Sequence, residues 1–191
     1  MNNPWAFSLR VLHKGWNTFG ITTVTAPDGS RFDRALEHHG DAACVLPYDP
    51  DRRVALLVRQ MRIGPLFCGD APTLDEAAAG GLDGEDPETA ALREVFEECG
   101  VRLKALTCVG CTYAMPSVSS ERIWLYLAPY GPLDRVAPGG GIADESEDIE
   151  VIELRLSELA AQADNGTMKD LKTLALVQAL RLKQPDLFIS K

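Results

Sequence analysis

Glu94, Glu97 and Glu98 fall in the run Arg93-Glu94-Val95-Phe96-Glu97-Glu98-Cys99-Gly100-Val101. On a helix, residues three and four apart share a face, so Glu94 stands beside both Glu97 and Glu98, and like charges at that spacing repel. Such a cluster calls for a positive partner. Hard divalent cations take oxygen ligands, and Mg²⁺ uses one or two carboxylates, keeps several waters and shares the rest of its shell with substrate phosphates. A solvated acidic face is the plainer reading of three nearby glutamates, but the flanking residues argue for a built site.

Those flanking residues define a helix. Asp86 suits an N-cap and Pro87 the first helical turn, while Gly100 suits a left-handed C-cap. Between them Leu92, Val95, Phe96 and Cys99 recur at helical spacing and are expected to form the buried stripe, with the glutamates on or near the opposite side. Upstream, Gly80, Gly81, Asp83, Gly84 and Glu85 read as a tight loop that brings backbone close to whatever the helix binds.

The stretch Glu85 to Val101 resembles the signature of the Nudix hydrolases: Gly, five residues, Glu, seven residues, Arg-Glu, an aliphatic, any residue, Glu-Glu, any residue, Gly, an aliphatic. Glu85, Arg93, Glu94, Val95, Glu97, Glu98, Gly100 and Val101 fill it. The departure is at the front, where Gly80 stands one residue too close to Glu85 and Ala79 takes the expected glycine place. The resemblance implies an α/β fold, a Nudix-type α/β/α sandwich with a mixed sheet. It also implies Mg²⁺, or Mn²⁺ in its place, with Glu94 and Glu98 as principal metal ligands and Glu97 and the Ala79 carbonyl completing the set. Arg93 would pair with an acid such as Glu85 to orient the helix.

Three further segments narrow the chemistry. In Leu57-Val58-Arg59-Gln60-Met61-Arg62-Ile63 two arginines leave a strand; guanidinium groups suit bidentate phosphate recognition, although edge charge alone would explain them. The stretch resembles the Arg-Gln-x-Arg border of the substrate site in the ADP-ribose pyrophosphatase branch, which makes Arg62 a phosphate or ribose contact and Arg59 the weaker candidate. The segment Pro138 to Glu150 combines three glycines with clustered acids and resembles the loop that, in nucleoside diphosphate sugar pyrophosphatases, brings a glutamate over the metals. That glutamate maps to Glu145, with Glu147 as runner-up, as the base that deprotonates a metal-acidified water. The turn Met115-Pro116-Ser117-Val118-Ser119-Ser120-Glu121 keeps the ends of a turn found in such enzymes but not its glycines; Ser119 is the candidate substrate contact there, and Glu121 either assists the metal site or opens a strand. Further echoes are closest to the GDP-mannose pyrophosphatase type, including the triple-glycine loop and Lys172-Thr173.

The remaining elements position these residues. Strand-like runs at Ser8 to Leu12 and Phe19 to Thr25, with a turn at Ala26-Pro27-Asp28-Gly29, form a small N-terminal section, residues 1–40. In the relatives that section pairs across a two-fold dimer and contributes to each site, so a homodimer is implied. Trp16 or Phe19 could then stack on a base, with core or dimer packing the competing explanation. Residues 41–191 form the Nudix domain: strands at Ala42 to Pro47, Arg53 to Gln60, Leu106 to Tyr113, Arg122 to Ala128 and Val151 to Leu156, then helices near Ser157 to Ala163 and Met168 to Leu182. The last should bury Leu171, Leu174, Ala175, Val177 and Leu180. This interleaved order suggests a mixed sheet covered on both faces.

Composition fits one compact enzyme. The chain has 191 residues, 46% hydrophobic and 25% charged, enough for a single well-buried core. A net charge of -9 disfavours nucleic-acid or anionic-membrane partners, which are bound through basic surface. A protein this acidic needs metal to handle phosphates. No apolar run approaches transmembrane length and Met1-Asn-Asn-Pro-Trp is unlike a signal peptide, so cytoplasm is the expected compartment. The 5 cysteines read as reduced thiols. Cys108 and Cys111 have no second pair and no suitably spaced histidine, so core packing is preferred to a zinc site, and His13, His38 and His39 read as surface residues.

The function expected is Mg²⁺-dependent hydrolysis of a nucleoside diphosphate sugar, ADP-ribose or GDP-mannose in type, to a nucleoside monophosphate and a sugar phosphate. The alternatives are a Nudix hydrolase of another nucleotide, such as a dinucleoside polyphosphate or modified nucleotide, and a catalytically silent Nudix-fold binding module.

Overall fold

The computed structural model describes residues 4–141 and 148–189. Two compact units divide the chain: the first holds the N-terminal residues through Asp41 together with Tyr113–Ile123, and the second holds Ala42–Thr112 and Trp124 onward.

The first unit is built on a three-stranded antiparallel sheet, β1 (Ala6–Lys14), β2 (Thr18–Thr25) and β3 (Arg31–His38), in that order. The sequence anticipates β1, β2 and the turn after β2, where Gly29 donates to the Ala26 carbonyl at 2.9 Å. It does not flag β3. That strand's charged residues are tolerated because one long side of the sheet stays in water, and Asp33 faces Thr23 across the β2–β3 pair at 2.7 Å. Residues 113–123, assigned from sequence to the main body, fold with this unit: Glu37 N–H donates to the Val118 carbonyl at 2.7 Å and Ser120 N–H to the Glu37 carbonyl at 3.1 Å. A boundary at residue 40 follows chain order, whereas these backbone bonds join segments about eighty residues apart.

The second unit centres on a seven-stranded sheet: β4 (Ala42–Asp49), β5 (Val54–Met61), β6 (Thr73–Glu76), β7 (Ala78–Gly81), β8 (Thr107–Tyr113), β9 (Arg122–Pro129) and β10 (Glu150–Arg155), spanning the order β10-β5-β4-β9-β8 with β6 paired to β5 and β7 to β4. Among the described residues four α-helices accompany it: α1 (Ile63–Cys68), α2 (Pro87–Cys99), α3 (Leu156–Asp164) and α4 (Leu171–Lys183). β4 is buried over its whole length, which requires cover on both faces. On one face Ala43, Val45, Leu56, Val58 and Ala78 pack with Ala90, Ala91, Val95 and Cys99 of α2. Strand alternation turns Cys44 and Leu46 to the other face, where α4 meets β4 and α3 packs on α4.

The helices α2, α3 and α4 lie where the sequence places them. In α4 Val177 and Leu180 are buried as expected, together with Thr173 and Leu176, whereas Leu174 and Ala175 are half-buried and Leu171 is exposed. Asp170 is the N-cap, which starts the helix at Leu171 and turns that first residue outward. α1, β6 and β7 are not signalled by the sequence; each is four to six residues long, too short for a periodic pattern to stand out. No helix among the described residues is long and apolar enough to cross a membrane.

Candidate active site

α2 is set at both ends by the residues that the sequence assigns to its caps. The Asp86 carboxylate accepts from the Glu88 and Thr89 amides at 3.1 and 3.0 Å, and Gly100, at φ 70°, closes the C-terminus with its N–H on the Phe96 carbonyl at 3.0 Å. The buried face is only half the one expected: Val95 and Cys99 are on it, Leu92 and Phe96 are not. Ala90, Ala91, Val95 and Cys99 form the apolar stripe, while Leu92 and Phe96 are exposed, the latter with the Arg102 guanidinium 5.3 Å from its ring centre. Glu94 and Glu98 are buried, at 8% and 3% exposure, rather than on the far side.

The reason is local. Two alanines let the helix lie close to β7, and the glutamates one turn apart reach its backbone. Glu98 Oε2 accepts the Ala79 N–H at 2.9 Å. Glu94 lies against Gly80, where a β-carbon would collide with its carboxylate. Ala79 and Gly80 are strand residues paired with Cys44 and Ala43 of β4, so the tight loop starts later than expected, at Leu82. Its reversal is closed by Glu85 N–H on the Leu82 carbonyl at 2.8 Å.

Arg93 joins this loop to the helix. Its Nε donates to Glu85 at 2.9 Å, Nη1 to Glu94 at 2.7 Å and Glu97 at 3.1 Å, and Nη2 to the Gly81 carbonyl at 2.9 Å, with Asp83 3.5 Å away. The expected Arg93–Glu85 pair is present, as one arm of a cation serving four carboxylates. Burial works against the guanidinium charge, but the acids around it hold its pKa well above the usual value.

The triple glycine is seated on the C-terminal end of α2. Gly140 N–H donates to the Glu98 carbonyl at 2.9 Å and Gly141 N–H to the Glu97 carbonyl at 3.2 Å. Gly139, at φ 75°, passes so near the Glu98 carbonyl that a side chain would not fit. Asp148 and Ile149 resume the chain, with Ile149 in the core cluster. Glu145 and Glu147 lie outside the described residues.

Of the two candidate arginines, Arg59 pairs with Asp75 at 2.7 and 3.1 Å and with Glu150 at 3.5 Å. Arg62 grips Glu76 bidentately, Nε to Oε1 at 2.7 Å and Nη2 to Oε2 at 3.0 Å. Glu76 is a residue the sequence reading missed, as are Asp170 and the roles of Lys172 and Thr173. Lys172 Nζ reaches Glu76 at 3.2 Å and Asp170 at 2.7 Å. Asp170 accepts both the N–H and the hydroxyl of Thr173, at 2.8 and 2.6 Å, and Thr173 Oγ1 accepts the Ala77 N–H at 2.7 Å. Burial opposes the Lys172 charge, but Asp170 and Glu76 outweigh it and hold its pKa well above the ordinary lysine value. The available signal was Asp170 as an N-cap three residues before a threonine-bearing helix turn; nothing in the sequence marks Glu76.

In the N-terminal unit, Trp16 is 84% exposed and stacks on His39, ring centres 4.9 Å apart and planes at 18°. His39 is not a free surface residue: Nδ1 meets Glu37 at 2.7 Å and Nε2 meets Glu121 at 3.2 Å. Desolvation would lower its pKa, but the hydrogen bonds to Glu37 and Glu121 raise it above the usual imidazole value. Ser119 is buried and donates its hydroxyl to Glu37 at 2.9 Å. Cys108 and Cys111 are exposed free thiols on β8, contrary to the expected core packing. Their odd spacing sends the side chains to opposite faces of the strand.

The donor set on α2 suits a hard cation. All its side-chain donors are carboxylate oxygens, two of the three glutamates are buried, and the backbone of Ala79 and Gly80 approaches within contact of them. Arg93 supplies counter-charge to Glu94 and Glu97. Among the described residues no group of three or more His, Cys, Asp or Glu side chains is gathered at metal-coordinating spacing.

Comparison with known proteins agrees with this arrangement. The NUDIX domain profile matches residues 38–176. The chain is 36% identical over 163 residues to a GDP-mannose pyrophosphatase of Cronobacter sakazakii, covering 84% of each chain. It is 32% identical over 164 residues to a GDP-mannose pyrophosphatase of Citrobacter koseri, covering 85% of this chain and 84% of the relative. Among solved structures, an ADP compounds hydrolase superposes with a TM-score of 0.74 at 16% identity over 95% of each chain, a likeness of fold. With the acid-bearing helix capped, seated on its strand and braced by Arg93, the chain belongs to the NUDIX domain family and is a Nudix pyrophosphohydrolase.

Proposed function

We propose that the protein hydrolyses the diphosphate bond of a nucleoside diphosphate sugar, GDP-mannose or ADP-ribose in type, with Mg²⁺ as the cation, releasing a nucleoside monophosphate and a sugar phosphate. The observation that carries this reading is the pair of buried carboxylates, Glu94 and Glu98, one turn apart on a helix where the Arg93 guanidinium is shared among four acids. The names of the relatives supply the sugar nucleotide class.

Glu94, Glu97, Glu98 and the Ala79 carbonyl would hold the metal. When bound there, a divalent cation supplies Lewis-acid polarisation of the diphosphate and an acidified water. Arg93 keeps the carboxylates aimed through its fork of N–H groups. Arg62 donates to a phosphate oxygen, with Arg59 as a further substrate contact. Glu145, or Glu147 in its place, takes the proton from the attacking water as the new P–O bond forms and the bridging P–O bond breaks. The leaving phosphate departs as a free phosphomonoester. The N-terminal sheet, with β1 exposed along its length, serves as the dimer contact.

Incubation with GDP-mannose, ADP-ribose, other nucleotide sugars and a dinucleoside polyphosphate, with and without Mg²⁺, tests this reading, with products identified by mass. Metal-dependent release of a nucleoside monophosphate from a sugar nucleotide is the expected result. Cleavage of the dinucleoside polyphosphate alone would transfer the enzyme to another substrate class.

A further inference from the structure

Glu76 is 1% exposed, which is costly for a carboxylate unless every face of it is engaged. Three N–H groups converge on it: Arg62 Nε at 2.7 Å, Arg62 Nη2 at 3.0 Å and Lys172 Nζ at 3.2 Å. Its own backbone is fixed as well. Glu76 ends β6, and the next residue, Ala77, gives its N–H to Thr173 Oγ1, whose N–H and hydroxyl are in turn bound by Asp170. Asp170 also takes Lys172 Nζ at 2.7 Å. The carboxylate is thus braced from the α4 side and presents a rigid bidentate acceptor to Arg62.

The Arg62 side chain is 41% exposed, in contrast to its partner. The Nε and Nη2 edge is spent on Glu76, which turns the Nη1 edge away from this carboxylate. The guanidinium also lies within electrostatic reach of Glu98. A long flexible arginine is therefore held in one orientation at the border of the acidic seam, and holding it there before substrate arrives removes an ordering cost from binding.

We propose that Glu76 is a positioning residue: it fixes the Arg62 guanidinium edge-on so that the opposite N–H edge meets a phosphate of the substrate, while Lys172 and Asp170 brace the carboxylate from behind. The proposal rests on the reading that Arg62 contacts the diphosphate.

A double-mutant cycle on the full-length protein tests it, using Glu76→Gln, Arg62→Ala and the pair, with GDP-mannose and ADP-ribose as substrates in Mg²⁺. Glu76→Gln raises KM on the order of 30-fold, more than it lowers kcat, because the guanidinium is lost from its binding pose. In the Arg62→Ala background the same change has an effect of no more than about twofold, since its target is gone. Two independent, multiplying effects would overturn the proposal, as would a Glu76→Gln enzyme with the wild-type KM. Thermal melts establish that each variant is folded. If Glu76→Gln does not fold, Arg62→Lys carries the test: it keeps the charge but not the fork, and an unchanged KM overturns the positioning role. Should the wild-type protein turn over neither sugar nucleotide, the substrate reading fails, and the same cycle is read in the calorimetric affinity for inorganic pyrophosphate with Mg²⁺. Coupling there upholds Glu76, and its absence removes it.

Discussion

Two charge clusters in the larger unit are built as opposites. Around Arg93 one cation serves Glu85, Glu94, Glu97 and Asp83, and the cluster is partly open to water. Around Glu76 one carboxylate, buried to 2% side-chain exposure, is held by Arg62 and Lys172, with Asp170 behind them balancing the charge. The first has negative charge left over and retains an attraction for a further cation. The second is neutral and closed, so it can hold geometry but offers little to a metal.

The contrast can be broken at several points. Glu98→Gln should cut turnover by about a thousandfold or more while the metal-free protein melts no lower than wild type, because a repelling charge has been removed. Near-normal kcat, or a large loss of stability without metal, would place Glu98 with the braces instead. Glu76→Ala should behave oppositely in the melt: an uncompensated buried charge costs about 3–5 kcal/mol, which calorimetry would register as a Tm lower by about 10 °C. An unchanged Tm would mean that the cluster is not closed.

Gly80→Ala sharpens the boundary between the two. The new methyl meets the end of a flexible glutamate side chain, so the fold should yield cheaply while Glu94 is displaced. We expect activity lower by about 10–100-fold, as for a lost supporting contact at a metal site, with Tm within about 4 °C of wild type. A collapse of stability would show that the glycine serves the strand and not the carboxylate.

The smallest effect belongs to His39, the cation that pH can remove. Its folded pKa lies above the ordinary value of 6.5, so the stability it draws from Glu37 and Glu121 is complete below about pH 6.5 and is lost as pH rises through the folded value. Denaturant midpoints of wild type and His39→Asn, compared at low and high pH, should converge as pH rises. A difference that grows with pH would reverse the assignment.

Much of this was legible in the sequence because the informative signals were local. Asp86 and Gly100 mark the ends of α2 through the hydrogen bonds they make there, and Pro87 through its missing N–H, and the spacing of Glu94, Glu97, Glu98 and Arg93 fixes their neighbours on the helix. The burial of Glu94 and Glu98 was not legible, since it depends on β7, whose Ala79 amide and bare Gly80 lie on another element. Leu92 and Phe96 look like core by residue type, but Ala90 and Ala91 take that place because a close helix–strand contact favours small side chains. Glu76 meets Lys172 across ninety-six positions of chain, a pairing that no window of sequence contains. The same is true of the 113–123 segment and its Glu37 partners.

The seating of the triple glycine on α2 bears on local unfolding. Gly140 and Gly141 donate their N–H groups to the Glu98 and Glu97 carbonyls, so these amides open to solvent only when the last turn of the helix lets go of them. The two stretches should exchange their amide hydrogens as one cooperative unit, with matching protection that rises and falls together. Whatever loosens the end of the acid-bearing helix would at the same moment release Gly140 and Gly141, in a single small opening well before the sheet beneath gives way.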